Sequence, residues 1–192
     1  MNQLQYRIIE ISKQLSLSHL GSCLTAVDII DRIYMQKKDD EPFVLSCGHA
    51  ALALYVVLEK YEEKDALSLC IKHGTHPNRN LDDGIYCSTG SLGWGLPIAA
   101  GMALADRSKN VYCLISDGES FEGTIWETAN LIRRYSISNL ILHMNWNGYA
   151  AYHPVSRDHV ERVKRIFPQI RIWETDVKDF GFAGQEAHYV KL

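Results

Sequence analysis

Two short polar stretches hold residues that could do chemistry together. Ser116-Asp117-Gly118-Glu119-Ser120 follows an apolar run at 111–115, and Asn145-Trp146-Asn147-Gly148-Tyr149 follows another at 139–144. Open α/β sheets bind ligands just beyond the carboxyl ends of their strands, so two such stretches separated by one helix would share an edge. Gly118 would let a phosphate approach the backbone, and the helix that starts beyond it favours an anion. One carboxylate, one amide oxygen and a backbone carbonyl make a poor zinc site. They make a reasonable partial shell for Mg²⁺, with a diphosphate and water supplying the remaining oxygens. Asp-Gly and Asn-Gly are also ordinary turn dipeptides, and from these residues alone the two readings balance.

The elements that must position these residues follow from hydrophobic periodicity. Leu4, Ile8, Ile11 and Leu15 recur at helical spacing over residues 2–16. A second helix is expected from Thr25, with Asp28 three residues on as a capping-box partner. Residues 43–45 read as a short buried strand, followed near Gly48 by a helix that is apolar almost all round and so interior. The stretch 73–90, rich in His, Gly, Pro, Asn and Asp, reads as a long loop of the kind that is usually functional or disordered. A helix at about 92–106, a strand at 111–115, a helix at about 122–134, a strand at 139–144, a charged helix near 156–166 and a last strand near 170–175 complete the pattern. Strands that are continuously apolar and alternate with helices imply an α/β fold, a parallel sheet with helices on both faces. No repeat, linker or low-complexity segment interrupts the chain, so residues 1–192 read as one domain.

Composition removes several classes of function. With 20 Lys+Arg, 23 Asp+Glu and a net charge of −3, the chain lacks the basic stripe an obligate nucleic-acid binder needs. The basic residues from Arg162 to Arg165 are interrupted by Val163 and read as a helix face. No run of ~18 apolar residues suggests a membrane span, and the first residues lack the pattern of a signal peptide. The cysteines, Cys23, Cys47, Cys70, Cys87 and Cys113, are odd in number and scattered, so small buried hydrophobes in a reducing cytoplasm are expected.

Five stretches, Ser18–Ser22, Phe43–His49, Gly74–Pro77, Ser88–Gly95 and Asp117–Tyr149, together resemble, in their order and along nearly the whole chain, the amino-terminal, thiamine-diphosphate-binding part of transketolases. The segment from Asp117 to Tyr149 resembles their thiamine-diphosphate motif, which opens with G-D-G and ends some thirty residues on with an Asn pair. Ser18-His19-Leu20-Gly21-Ser22 resembles the first active-site loop, and Phe43-Val44-Leu45-Ser46-Cys47-Gly48-His49 the F-V-L-S-N-G-H segment. Gly74-Thr75-His76-Pro77 is similar to a G-H-P loop, and Ser88-Thr89-Gly90-Ser91-Leu92-Gly93-Trp94-Gly95 to S-T-G-S-L-G-Q-G.

By that resemblance Asp117, Asn147 and the Tyr149 carbonyl would hold Mg²⁺. His49 and the Gly118 backbone would contact the diphosphate of thiamine diphosphate, and Gly90 and Leu92 would line its rings. His19, His76 and His188 would surround a sugar or sugar-phosphate substrate. Histidine suits proton transfer to and from sugar hydroxyls because it titrates near working pH. Glu122 and Glu127 would belong to an interfacial carboxylate network, although solvated helix charge is their ordinary role. Trp126 reads as interface or core packing, and His73, His143, His153 and His159 as surface or core.

The resemblance implies one half of an enzyme that transfers a two-carbon ketol unit only with a carboxy-terminal, pyrimidine-binding partner, most simply as α2β2. The alternatives are a 2-oxo acid decarboxylating or acyl-transferring relative and a non-catalytic member of a larger assembly. A nicotinamide dehydrogenase is more distant, because no G-x-G-x-x-G opens a helix. Three positions depart from the family pattern. Ser116 replaces the first Gly of G-D-G, while Cys47 replaces an Asn and Trp94 a Gln, which would alter the pocket lining. The chain after Tyr149 is also short, as though one αβ unit were deleted, which would leave a sheet edge open.

Overall fold

The computed structural model describes all residues except Ala183, Gln185, Ala187 and His188. Four strands, β1 (Phe43–Leu45), β2 (Val111–Ser116), β3 (Leu140–Trp146) and β4 (Arg171–Glu174), form one sheet in the order β1-β2-β3-β4. Every pairing is parallel. Seven helices surround the sheet among the described residues: α1 (Gln3–Leu15), α2 (Leu20–Gln36), α3 (Ala51–Glu62), α4 (Ala66–His73), α5 (Gly95–Ala105), α6 (Gly123–Arg134) and α7 (Arg157–Ile166).

The pleat of β2 sorts the core into two layers. Tyr112 and Leu114 point into a cluster with Phe43, Leu45 and the apolar residues of α1 to α4. Val111, Cys113 and Ile115 point the other way, to Leu96 and Ala99 of α5, Ile125 of α6 and Val160 of α7. The expected α/β architecture with both faces covered is therefore observed. Residues of α3 from Ala51 to Leu58 are all buried, as an apolar helix caught between layers must be.

Three boundaries differ from expectation. The second helix begins at Leu20, not Thr25, because Leu20 to Leu24 are all buried and packing outweighs the poor helix propensity of Gly21 and Ser22. Asp28 does not cap its own helix. It accepts from Asn2 Nδ2 at 2.7 Å and Gln5 Nε2 at 3.1 Å, holding the capping box that starts α1. Thr25, inside α2, donates to Gly21 O at 2.9 Å and accepts from Asn145 Nδ2 at 2.9 Å. Helix α4 adds to the expected pattern. Asp65 caps it by accepting from Ser68 N at 2.7 Å, and Gly74 follows at φ 68°. The long loop accordingly begins at Gly74, and it runs on to Trp94 because α5 starts only at Gly95.

His143 is buried in β3, and its Nδ1 accepts from Trp173 Nε1 of β4 at 3.0 Å. Its Nε2 is buried with no partner among the described residues, and burial pushes its pKa down to about 4. Between that value and the ordinary 6.5 the unfolded chain binds more protons than the folded one. The stability supplied by neutral His143 is thus complete above pH 6.5 and is lost as pH falls toward 4, by at most about 1.4 kcal/mol per unit. Urea unfolding of the wild type and His143→Gln at two pH values inside and above that window should show a shallower loss in the variant. An identical pH dependence in both would refute the assignment.

Candidate active site

Parallel register brings the two polar stretches together. Ser116 pairs with Asn145, and the Asp117 N–H donates to Asn145 O at 3.0 Å, so β2 and β3 end side by side. Asp117 is fully buried. Its Oδ1 accepts from Gly118 N at 2.9 Å and its Oδ2 from Gly148 N at 2.8 Å. Burial still outweighs these donors and pushes the Asp117 pKa up to about 7. A carboxyl held in that state gains from a cation beside it. Asn147 is buried too, and its Oδ1 accepts from Tyr149 N at 3.1 Å.

The turn between these residues is folded tightly around Gly118. A Cβ there would lie 3.0 Å from Ala150 Cα and 3.7 Å from Tyr149 O. The hairpin that carries Tyr149 closes through Ala150 N to His153 O at 2.9 Å and Val155 N to Gly148 O at 2.8 Å. From the far side, Ser120 Oγ donates to Asp117 O at 2.5 Å and meets His159 Nε2 of α7 at 2.8 Å. Trp126 Nε1 donates to Ser120 O at 3.0 Å, and Phe121 stacks on His159 at 3.7 Å between ring centres. Trp126 and His159 therefore act as packing, as expected. Asp117, Asn147 and Tyr149 all line one cleft, and a set of oxygens alone is what a Mg²⁺ ion would take from them.

Beside these oxygens lies a cleft of about 210 Å³. His19, His49, His76, Gly90, Leu92, Asp117, Gly118, Asn147 and Tyr149 all line it, so most of the residues singled out by sequence converge. His19 precedes α2 in a left-handed conformation, φ 64° and ψ 26°, which aims its ring into the cleft. Its ring lies 5.5 Å from that of His49 and 6.4 Å from that of His76. Burial, with His76 as a second cause, lowers the pKa of His19, favouring the neutral imidazole. Gly90, at φ 133°, packs against His76, whose Cβ would stand 3.6 Å from an added methyl.

Other expected residues lie elsewhere. Glu122 and Glu127 are exposed at the start of α6 and do not line the cleft. His188 lies outside the described residues. The substitutions at Cys47 and Trp94 do not reshape the lining as the family pattern suggests. Cys47 is buried with Sγ 3.7 Å from Leu114 O, and Trp94 caps α5 with 55% of its surface exposed. Ser116 ends β2, and its hydroxyl accepts from Glu119 N at 3.1 Å. Sequence reasoning missed Ser22, Glu119 and Tyr189, which also line the cleft. Nothing local marks Glu119 as buried, since a Glu in a polar turn is ordinarily solvated.

The chain is similar to known proteins along most of its length. Residues 19–175 match the family described as transketolase, thiamine diphosphate binding domain. Transketolase-like protein 2 of Mus musculus is 32% identical over 200 residues, covering 93% of this chain and 32% of that protein. One of the subunits of the apulose-4-phosphate transketolase of Phocaeicola vulgatus is 31% identical over 161 residues, covering 73% of this chain and 57% of its relative. The chain thus spans about a third of the first relative's length and just over half of the second's. The fold is shared with the crystal structure of transketolase from Campylobacter jejuni, at a TM-score of 0.65 and 19% identity over 92% of this chain and 38% of that one.

Gly118 offers a test that separates the cleft from the fold. Its backbone is ordinary αR at φ −61° and ψ −39°, so alanine is tolerated locally. The added methyl nevertheless presses on Ala150, 3.0 Å from its Cα, in the turn that carries the Tyr149 carbonyl. Gly118→Ala should weaken thiamine diphosphate binding by about tenfold or more, a loss of ~1.4 kcal/mol, while the melting temperature stays within a few degrees. Calorimetric titration beside a thermal melt checks this, and unchanged affinity would remove Gly118 from the site.

Proposed function

We propose, given that the chain belongs to the transketolase family by its thiamine diphosphate binding domain, that it holds the diphosphate end of that cofactor with Mg²⁺ and, with a partner chain, transfers a two-carbon ketol unit between sugar or sugar-phosphate substrates. The observation that carries this reading is the convergence of Asp117, Asn147 and the Tyr149 carbonyl around Gly118, at the ends of adjacent strands. In this reading those three supply oxygens to Mg²⁺, and His49 and the backbone at Gly118, where no side chain stands in the way, contact the diphosphate. Gly90 and Leu92 shape the wall of the cleft beside its rings. Bound thiamine diphosphate supplies the carbanion chemistry.

The chain's own contribution to proton transfer is His19 with His76. A neutral His19 accepts a proton from a substrate hydroxyl and returns it, and His76 lies close enough to share the same hydroxylated substrate. His188 would join them. Asp117, Asn147 and His49 together in one cleft favour a catalytic chain over a degenerate one kept only for assembly. His19→Ala and His76→Ala should each lower turnover by ~10²–10⁴ and leave cofactor affinity nearly intact. Loss of cofactor affinity with normal turnover at saturation would reverse the division of roles.

The partner requirement rests on surface. Trp94, Ile98 of α5, Phe121 just before α6 and Leu131 of α6 are exposed large hydrophobics, and Glu122 and Glu127, at the start of α6 and within it, are exposed as well. That face would receive a second chain or copy, most simply in an α2β2 assembly, with the glutamates forming the interfacial carboxylate network. The relative from Phocaeicola vulgatus, itself named as one part of a divided transketolase, is consistent with such an arrangement. All five cysteines are free and buried, which suits a reducing cytoplasm, and among the described residues no helix is long and apolar enough to cross a membrane.

Ketol transfer should be absent from the purified chain supplied with thiamine diphosphate and Mg²⁺. It should appear on adding a chain that resembles the pyrimidine-binding and carboxy-terminal parts of transketolase. A coupled spectrophotometric assay measures it, and robust turnover by the lone chain would refute the divided enzyme.

A further inference from the structure

Four separate segments deliver the proposed cofactor and metal contacts, the turn after β3 among them, and one buried side chain touches the other three. The segment after β1 carries His49, the loop from Ser88 to Trp94 carries Gly90 and Leu92, and the end of β2 carries Asp117 and Gly118. Glu119 sits fully buried among them. Its Oε1 accepts from Ser46 Oγ at 2.5 Å and from Gly93 N at 2.6 Å, and its Oε2 from Ser116 N at 3.3 Å. Its own N–H donates back to Ser116 Oγ at 3.1 Å, so the carboxylate and the end of β2 are tied twice.

The segments leave no slack around this carboxylate. A Cβ on Gly95 would fall 2.5 Å from Ser46 Cα, and one on Gly48 would fall 2.1 Å from Thr89 Oγ1. Gly93, at φ 82°, brings its N–H to Glu119 in a conformation that disfavours other residues, and a Cβ there would strike Thr124 Oγ1 at 2.3 Å. Ser46 lies 73 residues from Glu119 in sequence and Gly93 lies 26, so no local turn would hold these groups together. Burying a carboxyl group is costly unless its acceptors are used, and here three donors use them.

We infer that Glu119 is the positioning residue of this cleft, fixing the 88–94 loop and the segment bearing His49 against the end of β2 so that their cofactor contacts are formed in advance. The inference rests on the reading of the cleft as a thiamine diphosphate site, while the clamp itself is observable without cofactor. Preorganisation of this kind acts on affinity, because a loop already in its bound conformation loses no further freedom on binding.

The test uses the chain assembled with its partner, in the wild type and in Glu119→Leu, Glu119→Gln and Ser46→Ala. The first readout is hydrogen exchange of the peptide spanning 88–95, measured without cofactor. Glu119→Leu should accelerate exchange at the Gly93 amide by about tenfold or more, and Glu119→Gln, which keeps an acceptor oxygen, should stay within about threefold of the wild type. The second readout is calorimetric titration with thiamine diphosphate at fixed Mg²⁺, where the dissociation constant should rise by about tenfold or more in Glu119→Leu and recover in Glu119→Gln.

A folded Glu119→Leu with wild-type exchange overturns the clamp. So does a Glu119→Gln as damaged as Glu119→Leu, because the oxygen that accepts from Ser46 and Gly93 would then not be what holds the loop. Altered exchange with unchanged affinity overturns the link from clamp to cofactor. If Glu119→Leu does not fold, Ser46→Ala decides, since wild-type exchange and affinity there also overturn the inference. A wild type that binds no thiamine diphosphate while Glu119→Leu still loosens the loop would instead overturn the cofactor reading and leave the clamp standing.

Discussion

The chemistry of this chain depends on the parallel pairing of β2 with β3. Because Ser116 stands opposite Asn145, the next residue of β2 meets the turn after β3, and Asp117 can reach the Gly148 amide. A slip of one residue would turn each strand's side chains to the opposite layer, moving Cys113 and Ile115 out of one core and Tyr112 and Leu114 out of the other. The register is therefore enforced by both cores at once, and the cleft inherits its geometry from apolar packing that lies well below it. Asn145 strengthens the arrangement by donating to Thr25 of α2 and accepting from Thr175 Oγ1 at 2.7 Å, just beyond β4.

That constraint explains which parts of the site were legible in the sequence. Asp117 and Asn147 could be placed on one edge because the apolar runs before them mark two strand ends, and strand ends follow from composition alone. His49, Gly90 and Leu92 were visible only through resemblance, since their loops carry no periodicity that would bring them together. Glu119 was invisible for a physical reason. Its burial is tolerated because Ser46 and Gly93 arrive from distant segments, and a residue's distant partners leave no mark on its neighbours in sequence.

The fold was legible in the same uneven way. The strands, α3 and α7 were readable from apolar runs and amphipathic spacing. The start of α2 was not, because Gly21 and Ser22 argue locally against a helix and only the surrounding core overrules them. The first turn of α4 was in fact announced by Asp65 and its end by Gly74, but the polar composition that follows drew the boundary of the loop one residue too early. The opening of α1 shows the opposite case, in which a local capping box is exploited at long range because Asp28 binds both of its members.

The burial of the five cysteines has a consequence for how motion in this protein can be followed. Cys23, Cys47 and Cys70 belong to the layer under α1 to α4, and Cys87 and Cys113 to the layer under α5 to α7. Burial raises every one of these thiols, Cys23 to about 12 and Cys70 to about 11, so the reactive thiolate is suppressed while the chain is closed. Native thiols thus divide into two internal sets of silent reporters. Modification by a soluble alkylating reagent would have to wait for one layer to part from the sheet, and the order in which the two sets become labelled would give the order in which the layers open.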